Sequence, residues 1–144
     1  MFVVNVEGAI RKDNKWIIIE RSKKEEHAGG LLSLVGGKVE GQNMPSVLES
    51  NLQREISEEI GIKVKSNMRY LHSISFTADN GVKVVNVIFL CEYESGNLEV
   101  KQPDEIEKIH LFTTEEISNS LVAPDYLKQY VQLATQALEV GESI

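Results

Sequence analysis

The stretch that decides the interpretation of this chain is Arg54-Glu55-Ile56-Ser57-Glu58-Glu59-Ile60-Gly61. Its three glutamates stand at i, i+3 and i+4, a spacing that places side chains on one face of a helix. Like charges so placed repel one another, and acids in a last helical turn oppose the helix dipole, each effect being roughly 0.2–1 kcal/mol. Stability alone would favour Lys or Arg there, whereas Mg²⁺ and Mn²⁺ bind carboxylate oxygens. The cluster therefore predicts a metal site.

The helical phase of these acids places them at the border of the buried side of the helix. An apolar stripe with i, i+4 spacing is formed by Leu48, Leu52, Ile56 and Ile60. At about 100° per residue, Glu59 falls inside the edge of this stripe, Glu55 just beyond it and Glu58 further round. Gly61 is the expected residue after the last turn. A merely solvated helix face, which is the alternative, would carry its acids opposite the stripe.

A glycine-bearing segment lies upstream of the helix and follows an apolar strand; it reads Leu34-Val35-Gly36-Gly37-Lys38-Val39-Glu40-Gly41. Two adjacent glycines let a backbone turn tightly and approach a ligand closely. Such a pair on its own is more often a plain turn. We expect Gly36 and Gly37 to lie in a loop at the end of the strand.

Taken together, the glycine segment and the acidic helix resemble the Nudix box, the signature of the Nudix hydrolase superfamily. The matching residues are Gly37, Arg54, Glu55, Ile56, Glu58, Glu59, Gly61 and Ile62. The hairpin before the box, the strand around Val82–Tyr93 and the Asp-Glu-Ile-Glu segment at 104–107 extend the resemblance over most of the chain. It implies an α/β (α+β) fold, a Nudix-type α/β/α sandwich with a mixed central β-sheet, and one Nudix hydrolase domain over residues 1–144.

The box of this chain departs from the family pattern in its loop. Arg54 stands three positions further from Gly37 than the pattern has it, so the loop Gly41–Pro45 carries a three-residue insertion. The family also has a Glu between these two residues, and counting from either end gives Asn43 or Ser46, neither of which is acidic. A catalytically weak, Nudix-fold nucleotide-binding or regulatory module is therefore the alternative to an active enzyme.

By this resemblance, the chain is expected to be a divalent-metal-dependent pyrophosphohydrolase that cleaves a nucleoside diphosphate linked to another moiety. The expected ligands of Mg²⁺ (or Mn²⁺) are Glu55, Glu58, Glu59 and the carbonyl of Gly36 or Gly37. Arg54 is expected to hold one of these carboxylates by a fork-shaped hydrogen bond, although an ordinary surface cation would fit its position equally well. The expected substrate contacts are Gly37, Lys38 and Arg21, with Lys23 and Lys24 as further candidates.

The general base is expected to be a glutamate of the box or one in a loop before a late strand. Glu105 matches that loop position, and Asp104 and Glu107 compete with it. His27 lies in a loop that could approach the substrate. Tyr70, Phe76 and Tyr93 could stack on a base, although strand aromatics usually pack in the core.

The substrate class is approached by elimination within the family. Members that act on ADP-ribose often carry a proline shortly after the box, and this chain has none between Pro45 and Pro103. The tyrosine of dinucleoside polyphosphate hydrolases is absent from its region, which holds Phe76 and Ala78. A nucleoside triphosphate or a deoxynucleoside triphosphate is therefore the preferred substrate.

Composition and charge agree with a small enzyme of this kind. The chain has 144 residues, with 15 Lys and Arg against 22 Asp and Glu, and a formal net charge of −7. This charge disfavours binding to polymeric nucleic acid, which depends on a basic surface. No secretory signal or membrane span is visible, and the lone Cys91 lies in an apolar strand, so we expect a cytoplasmic protein with a packed thiol. A homodimer is possible. An unrelated α/β domain with a solvated acidic helix is the third interpretation.

The expected elements follow from hydrophobic period and turn residues. Strands are predicted at Phe2–Ile10, Trp16–Glu20, Leu31–Val35, Met68–Phe76, Val82–Tyr93 and Lys108–Phe112. Helices are predicted at Val47–Ile60, from Thr114, and after Pro124. The Asn80-Gly81 dipeptide predicts a hairpin between the two long late strands.

Overall fold

The computed structural model describes residues 1–25 and 29–141. Its strands are β1 (Phe2–Lys12), β2 (Lys15–Arg21), β3 (Leu32–Ser33), β4 (Val35–Lys38), β5 (Ile62–Val64), β6 (Arg69–Thr77), β7 (Lys83–Gly96) and β8 (Ile106–Phe112). Its helices are α1 (Val47–Ile60), α2 (Thr114–Ser118) and α3 (Asp125–Gly141). In that part of the chain, no helix is long and apolar enough to cross a membrane.

Strand β1 is the centre of a mixed sheet. It pairs in parallel with β7 from Phe2 to Arg11. On its other side it pairs antiparallel with β4 over Asn5–Gly8, and with β2 only beside their hairpin turn. Strands β5 and β6 extend the sheet from β7, and β3 and β8 extend it from β2. The single strand β1 thus connects the glycine-bearing strand β4 to the rest of the sheet.

Two apolar layers cover the faces of this sheet. One layer packs under α1 and includes Val6, Ile10, Ile17, Ile19, Val35, Leu52, Ile56 and Ile60. The other packs under α2 and α3 and includes Ala9, Trp16, Ile18, Ile88, Leu90, Ile117, Leu127, Val131 and Ala134. The alternation of side chains along β1, β2 and β7 supplies residues to both layers. The expected α/β/α sandwich with a mixed central sheet is confirmed.

The turns follow the residues that permit them. The β1–β2 hairpin turns at Asp13 and Asn14, whose φ angles are 52° and 63°. Both residue types tolerate this left-handed region, and a two-residue hairpin turn requires it. Between β6 and β7 the chain turns at Gly81, with φ 86°, so the hairpin predicted from Asn80-Gly81 is confirmed.

Helix α1 has the predicted bounds and ends at Gly61, whose φ is 75°. Its beginning is less regular. Ser46 caps it with φ 49° and makes no side-chain hydrogen bond to the first turn. Asn43, in the inserted loop, also has a left-handed φ of 57°. The loop therefore enters the helix by two left-handed residues that are not glycine, which is a strained path.

Gly36 and Gly37 correct the sequence-based expectation of a loop, because both lie within strand β4. Neither has a positive φ. Glycine is required at both positions because neighbouring atoms leave no room for a Cβ atom, and not because the chain turns there. The short β5 was not predicted, since three residues are too few to show a period of two.

Candidate functional site

The acidic face of α1 carries three glutamates whose burial differs in the order that the helical phase predicts. Glu59 is 5% exposed. The side chain of Glu55 is 17% exposed and that of Glu58 is 48% exposed. The face therefore runs from the core outwards to solvent, as the wall of a cleft does.

Arg54 holds this face together. Its Nη1 lies 3.1 Å from Glu55 Oε1 and donates to Glu58 Oε2 at 3.2 Å. Its Nη2 donates to Asn51 Oδ1 at 2.9 Å and to the Lys38 carbonyl at 3.4 Å. One guanidinium thus joins two carboxylates to the end of β4, which fits the positioning role expected for Arg54.

Asn51 was not expected from the sequence and links α1 to the segment after β4. Its side chain is 2% exposed. Its Oδ1 accepts from the Glu40 N–H at 2.9 Å, and its Nδ2 donates to the Glu40 carbonyl at 2.8 Å and to the Val47 carbonyl at 2.7 Å. A buried amide with all of these bonds fixes the backbone at Glu40 against the helix.

The two glycines of β4 make room for carboxyl groups on opposite faces of the strand. A Cβ atom at Gly37 would lie 2.5 Å from Glu55 Cδ and 2.6 Å from its Oε2. A Cβ atom at Gly36 would overlap the Val6 carbonyl oxygen and lie 2.7 Å from Glu7 Cα and 2.9 Å from Glu7 Cγ. Only glycine allows the Glu55 carboxylate to rest on the backbone of β4.

Burial and crowding of charge raise the pKa of two of the glutamates. For Glu59, burial is the main cause, and the negative charges of Glu55 and Glu105 add to it, so that the pKa rises to about 8. Burial also raises the pKa of Glu55, against the opposing charge of Arg54. Among the described residues, Glu59 Oε2 has no hydrogen-bond partner although it is buried. A buried carboxyl oxygen without a partner is unfavourable unless a ligand or a cation satisfies it.

Glu105 and Arg21 lie outside α1, and their charges act on its acidic face. The Glu105 carbonyl accepts from the Ser22 N–H at 2.8 Å, which joins the loop before β8 to the end of β2. Glu105 is the acid of that loop whose charge raises the pKa of both Glu55 and Glu59, and the positive charge of Arg21 lowers that of Glu59. Arg21 also pairs with Glu25 at 3.8 Å.

The other residues named in the sequence analysis lie at the end of β4 and in the loop after β2. Lys38 ends β4 with an exposed side chain, and its carbonyl meets Arg54. Lys23 and Lys24 lie in the loop after β2. His27 lies outside the described residues.

The sequence analysis missed two polar residues on the neighbouring strands β1 and β7. Glu7 of β1 receives a hydrogen bond of 2.6 Å from Asn86 Nδ2 of β7. Burial raises the pKa of Glu7. Glu7 and Asn86 could have been identified as a charged residue and an amide within otherwise apolar strands.

The donor set suits a hard divalent cation, since it consists of carboxylates. Across residues 1–25 and 29–141, however, no three His, Cys, Asp or Glu side chains are gathered as a ready-made metal cage. Glu55 and Glu58 share Arg54 as their counter-ion. The Glu59 oxygen that has no partner among the described residues is the observation that fits cation binding.

Comparison with known proteins gives a consistent result. The family model of the NUDIX domain matches residues 1–133. The NAD-capped RNA hydrolase NudC of Escherichia coli O1:K1 is 30% identical over 109 residues, which cover 76% of this chain and 38% of that relative. The chain thus spans less than half the length of that relative.

Solved structures show the same fold. The MutT NUDIX hydrolase from Burkholderia pseudomallei superimposes with a TM-score of 0.78 at 25% identity, over 92% of this chain and 98% of that one. The NUDIX domain of Shewanella oneidensis NrtR, complexed with ADP ribose, gives a TM-score of 0.75 at 14% identity, over 96% of this chain and 89% of that one.

Proposed function

This chain belongs to the NUDIX domain family, and on that premise we propose that it is a divalent-metal-dependent hydrolase of nucleotide pyrophosphate bonds. The observation that carries the proposal is the acidic face of α1. There, within the part of the chain that the structure describes, a buried Glu59 oxygen lacks a partner, the pKa of Glu55 and of Glu59 is raised, and Glu55 rests on Gly37. A buried carboxyl beside two further carboxylates, with one oxygen unpaired among the described residues, suits cation binding better than stability.

The chain's own residues supply the positioning. Glu55, Glu58 and Glu59 would hold Mg²⁺ or Mn²⁺, with the Gly36 carbonyl completing the set. When bound, such a cation polarises phosphate oxygens and neutralises their charge. Arg54 keeps Glu55 and Glu58 oriented from the side of the helix. Arg21 offers positive charge to a phosphate at the cleft, and Gly37 lets a ligand approach the backbone closely.

Hydrolysis replaces one bridging P–O bond by a bond from phosphorus to the oxygen of water. Glu105 is proposed to accept the proton of that water on its carboxylate, because its charge reaches the two buried acids while its own side chain is exposed. The bridging oxygen leaves on the other phosphate, which becomes part of the second product. Asp104 and Glu107 are the competing bases.

The substrate is proposed to be a nucleoside triphosphate or a deoxynucleoside triphosphate, as elimination from the sequence indicates. NudC is named for NAD-capped RNA, and the NrtR domain binds ADP ribose in its structure. Both ligands also contain a nucleoside diphosphate linked to another group, so they belong in any test. The whole-protein activity of the longer NudC relatives does not follow for this chain.

Two observations favour a second function, that of a nucleotide-binding or regulatory module with weak turnover. In the described part of the chain the acids do not form a ready-made cage, and the inserted loop enters α1 through the left-handed residue Ser46. A module of this kind would bind a nucleotide without releasing products.

The test is product release from a panel of NTPs, dNTPs, NAD, ADP-ribose, nucleotide sugars and dinucleoside polyphosphates, with Mg²⁺, Mn²⁺ and EDTA compared side by side. We expect metal-dependent cleavage of a triphosphate and no turnover in EDTA. Tight binding of a nucleotide, with no product in either metal, would replace the enzyme by the binding module. No metal binding and no nucleotide binding would overturn both proposed functions.

Replacing Glu105 by Gln is expected to lower kcat by about 10²–10⁴-fold, which is the usual contribution of a general base. Metal affinity should change little, since Glu105 is not a proposed ligand. The measurement is kcat together with the Kd of Mn²⁺. Glu139→Gln is the control, because Glu139 is an exposed acid of α3 with no proposed role in the reaction. An unchanged kcat in Glu105→Gln would remove Glu105 from the reaction.

The single domain over residues 1–144, the cytoplasmic location and the homodimer stay predictions. Analytical ultracentrifugation of the purified chain measures the last of them.

A further inference from the structure

A buried polar pair lies on the sheet face opposite α1 and has no role in the hydrolytic machinery described above. Asn86 of β7 is 6% exposed, and its Nδ2 donates to Glu7 Oε1 of β1 at 2.6 Å. Asn86 Oδ1 is buried and, within residues 1–25 and 29–141, has no hydrogen-bond partner. A buried acceptor left in this state is rare in a folded sheet, and binding of a donor would satisfy it.

This pair is a close neighbour of the proposed hydrolytic site. Glu7 lies beside Gly36 through its Cα and Cγ, whereas the Glu55 carboxyl lies on Gly37, so the two glutamates stand on opposite faces of β4. The charge of Arg21 acts on both Glu7 and Glu59. The charge of Glu7 also raises the pKa of Glu59, so Glu7 is within electrostatic reach of phosphates held at Glu59 and Arg21.

Exposed apolar side chains surround the polar pair. Ile74 and Phe76 of β6 stand opposite Asn86 and Val84 in the β6–β7 register, which puts them on the same face of the sheet. They are 39% and 41% exposed. Tyr126, near the beginning of α3, is 44% exposed, and its ring centroid lies 6.0 Å from that of the buried Tyr130. Apolar and aromatic walls around a few polar groups are typical of a site for a flat organic ring.

We propose that Glu7 and Asn86 bind the amino-bearing edge of a nucleobase and thereby select the substrate. This inference rests on the proposed function and adds a specificity site to it. The acceptor atoms of this pair are the carboxyl oxygens of Glu7 and the Oδ1 of Asn86. Their complement is an N–H donor on an aromatic ring, and the amino groups of guanine and adenine are donors of this kind. A base without an amino group would leave the buried Asn86 Oδ1 without this hydrogen bond.

The test compares nucleotides that differ by one amino group, which are GTP with ITP and ATP with purine riboside triphosphate. We expect wild-type protein to favour the amino-bearing member of at least one pair by roughly tenfold or more in kcat/KM. In Glu7→Gln and in Asn86→Leu this preference should fall to near unity. The control Glu94→Gln, in an exposed acid of β7 that pairs with Lys63, should keep it. Circular dichroism melts report which variants fold.

A second measurement separates this proposal from the hydrolytic one. Calorimetric titration in EDTA gives the Kd of GMP against IMP and of AMP against purine riboside monophosphate. A preference in Kd for the amino-bearing member, in a protein that hydrolyses nothing, would support the specificity site while overturning the proposed function. Equal kcat/KM and equal Kd within both pairs for the wild type would overturn the specificity site. Full preference retained by a folded Glu7→Gln and a folded Asn86→Leu would overturn it as well.

Discussion

Replacing Glu59 by Gln is expected to abolish most turnover and to stabilise the metal-free protein at the same time. Glu59 is a proposed cation ligand, and loss of such a ligand removes several kcal/mol of charge stabilisation, so kcat should fall by roughly a hundredfold or more. The substitution preserves the shape of the side chain. It also removes a buried carboxyl whose Oε2 has no partner among the described residues. Activity and stability should therefore change in opposite directions.

The effect on stability should depend on pH. Burial raises the pKa of Glu59 from an ordinary 4.5 to about 8 in the folded protein. Between these values the native state binds more protons than the unfolded chain does, so the free energy of unfolding falls as pH rises through this window. Below it both states are protonated and the difference vanishes. The advantage of Glu59→Gln over wild type should consequently be small near pH 4.5 and largest above pH 8.

The measurement is Tm in EDTA across this pH range, with kcat in Mg²⁺ measured on the same preparations. Each kcal/mol gained corresponds to roughly 2–4 °C in Tm for a protein of this size. Glu139→Gln is the control, because Glu139 is an exposed acid in the last turns of α3. A Tm of Glu59→Gln that falls below wild type at every pH, together with kcat, would indicate that Glu59 is a structural residue.

Replacing Gly36 and Gly37 of β4 by alanine is expected to have two different effects, one on stability and one on kcat. At Gly36 the new Cβ would overlap the Val6 carbonyl and lie 2.7 Å from Glu7 Cα, and both are backbone atoms that cannot give way. We expect a loss of more than about 4 kcal/mol in stability, with little folded protein. At Gly37 the three described atoms nearest to the new Cβ all belong to the Glu55 carboxyl, which a side-chain rotation can move. We expect Gly37→Ala to fold and to lose about a hundredfold in kcat, because a proposed ligand is displaced.

Thermal melts and kcat for both variants measure this contrast. Gly81→Ala is a useful third variant, since no described atom beyond its two chain neighbours lies within 4 Å of a Cβ at that position, and a loss of stability there reflects its φ of 86°. A fully active Gly37→Ala would show that Glu55 can leave β4 without consequence for the reaction. A stable Gly36→Ala would show that β1 and β4 can separate.

The acidic helix could be predicted because its information is local. The stripe ending at Ile60 and the glycine after it fix both the phase and the end of α1, so the order of burial of Glu59, Glu55 and Glu58 follows from counting residues. The two hairpin turns could likewise be predicted, from Asp13-Asn14 and from Asn80-Gly81. In each case residues close in sequence determine the geometry.

The rest depends on contacts between distant segments. Whether Gly36 and Gly37 turn or merely lie flat is decided by β1 and α1, which occupy the space of a side chain. Glu7 and Asn86 are 79 positions apart and meet because β1 and β7 run in parallel. Sequence patterns within one window contain no record of such a pairing. Asn51 reads as an ordinary helix residue until the fold brings Glu40 to it.

The clamp formed by Asn51 has a consequence for how this chain can vary over evolution. Because the amide holds Glu40 by both its N–H and its carbonyl, the strand is anchored before the extra residues of Gly41–Pro45 begin. Lengthening a loop between two anchored ends changes mainly its closure entropy, by only about 0.6 kcal/mol for each doubling. This segment is therefore a place where insertions and deletions can accumulate, and a new recognition loop could be grafted there, while the carboxylates of α1 remain where they are.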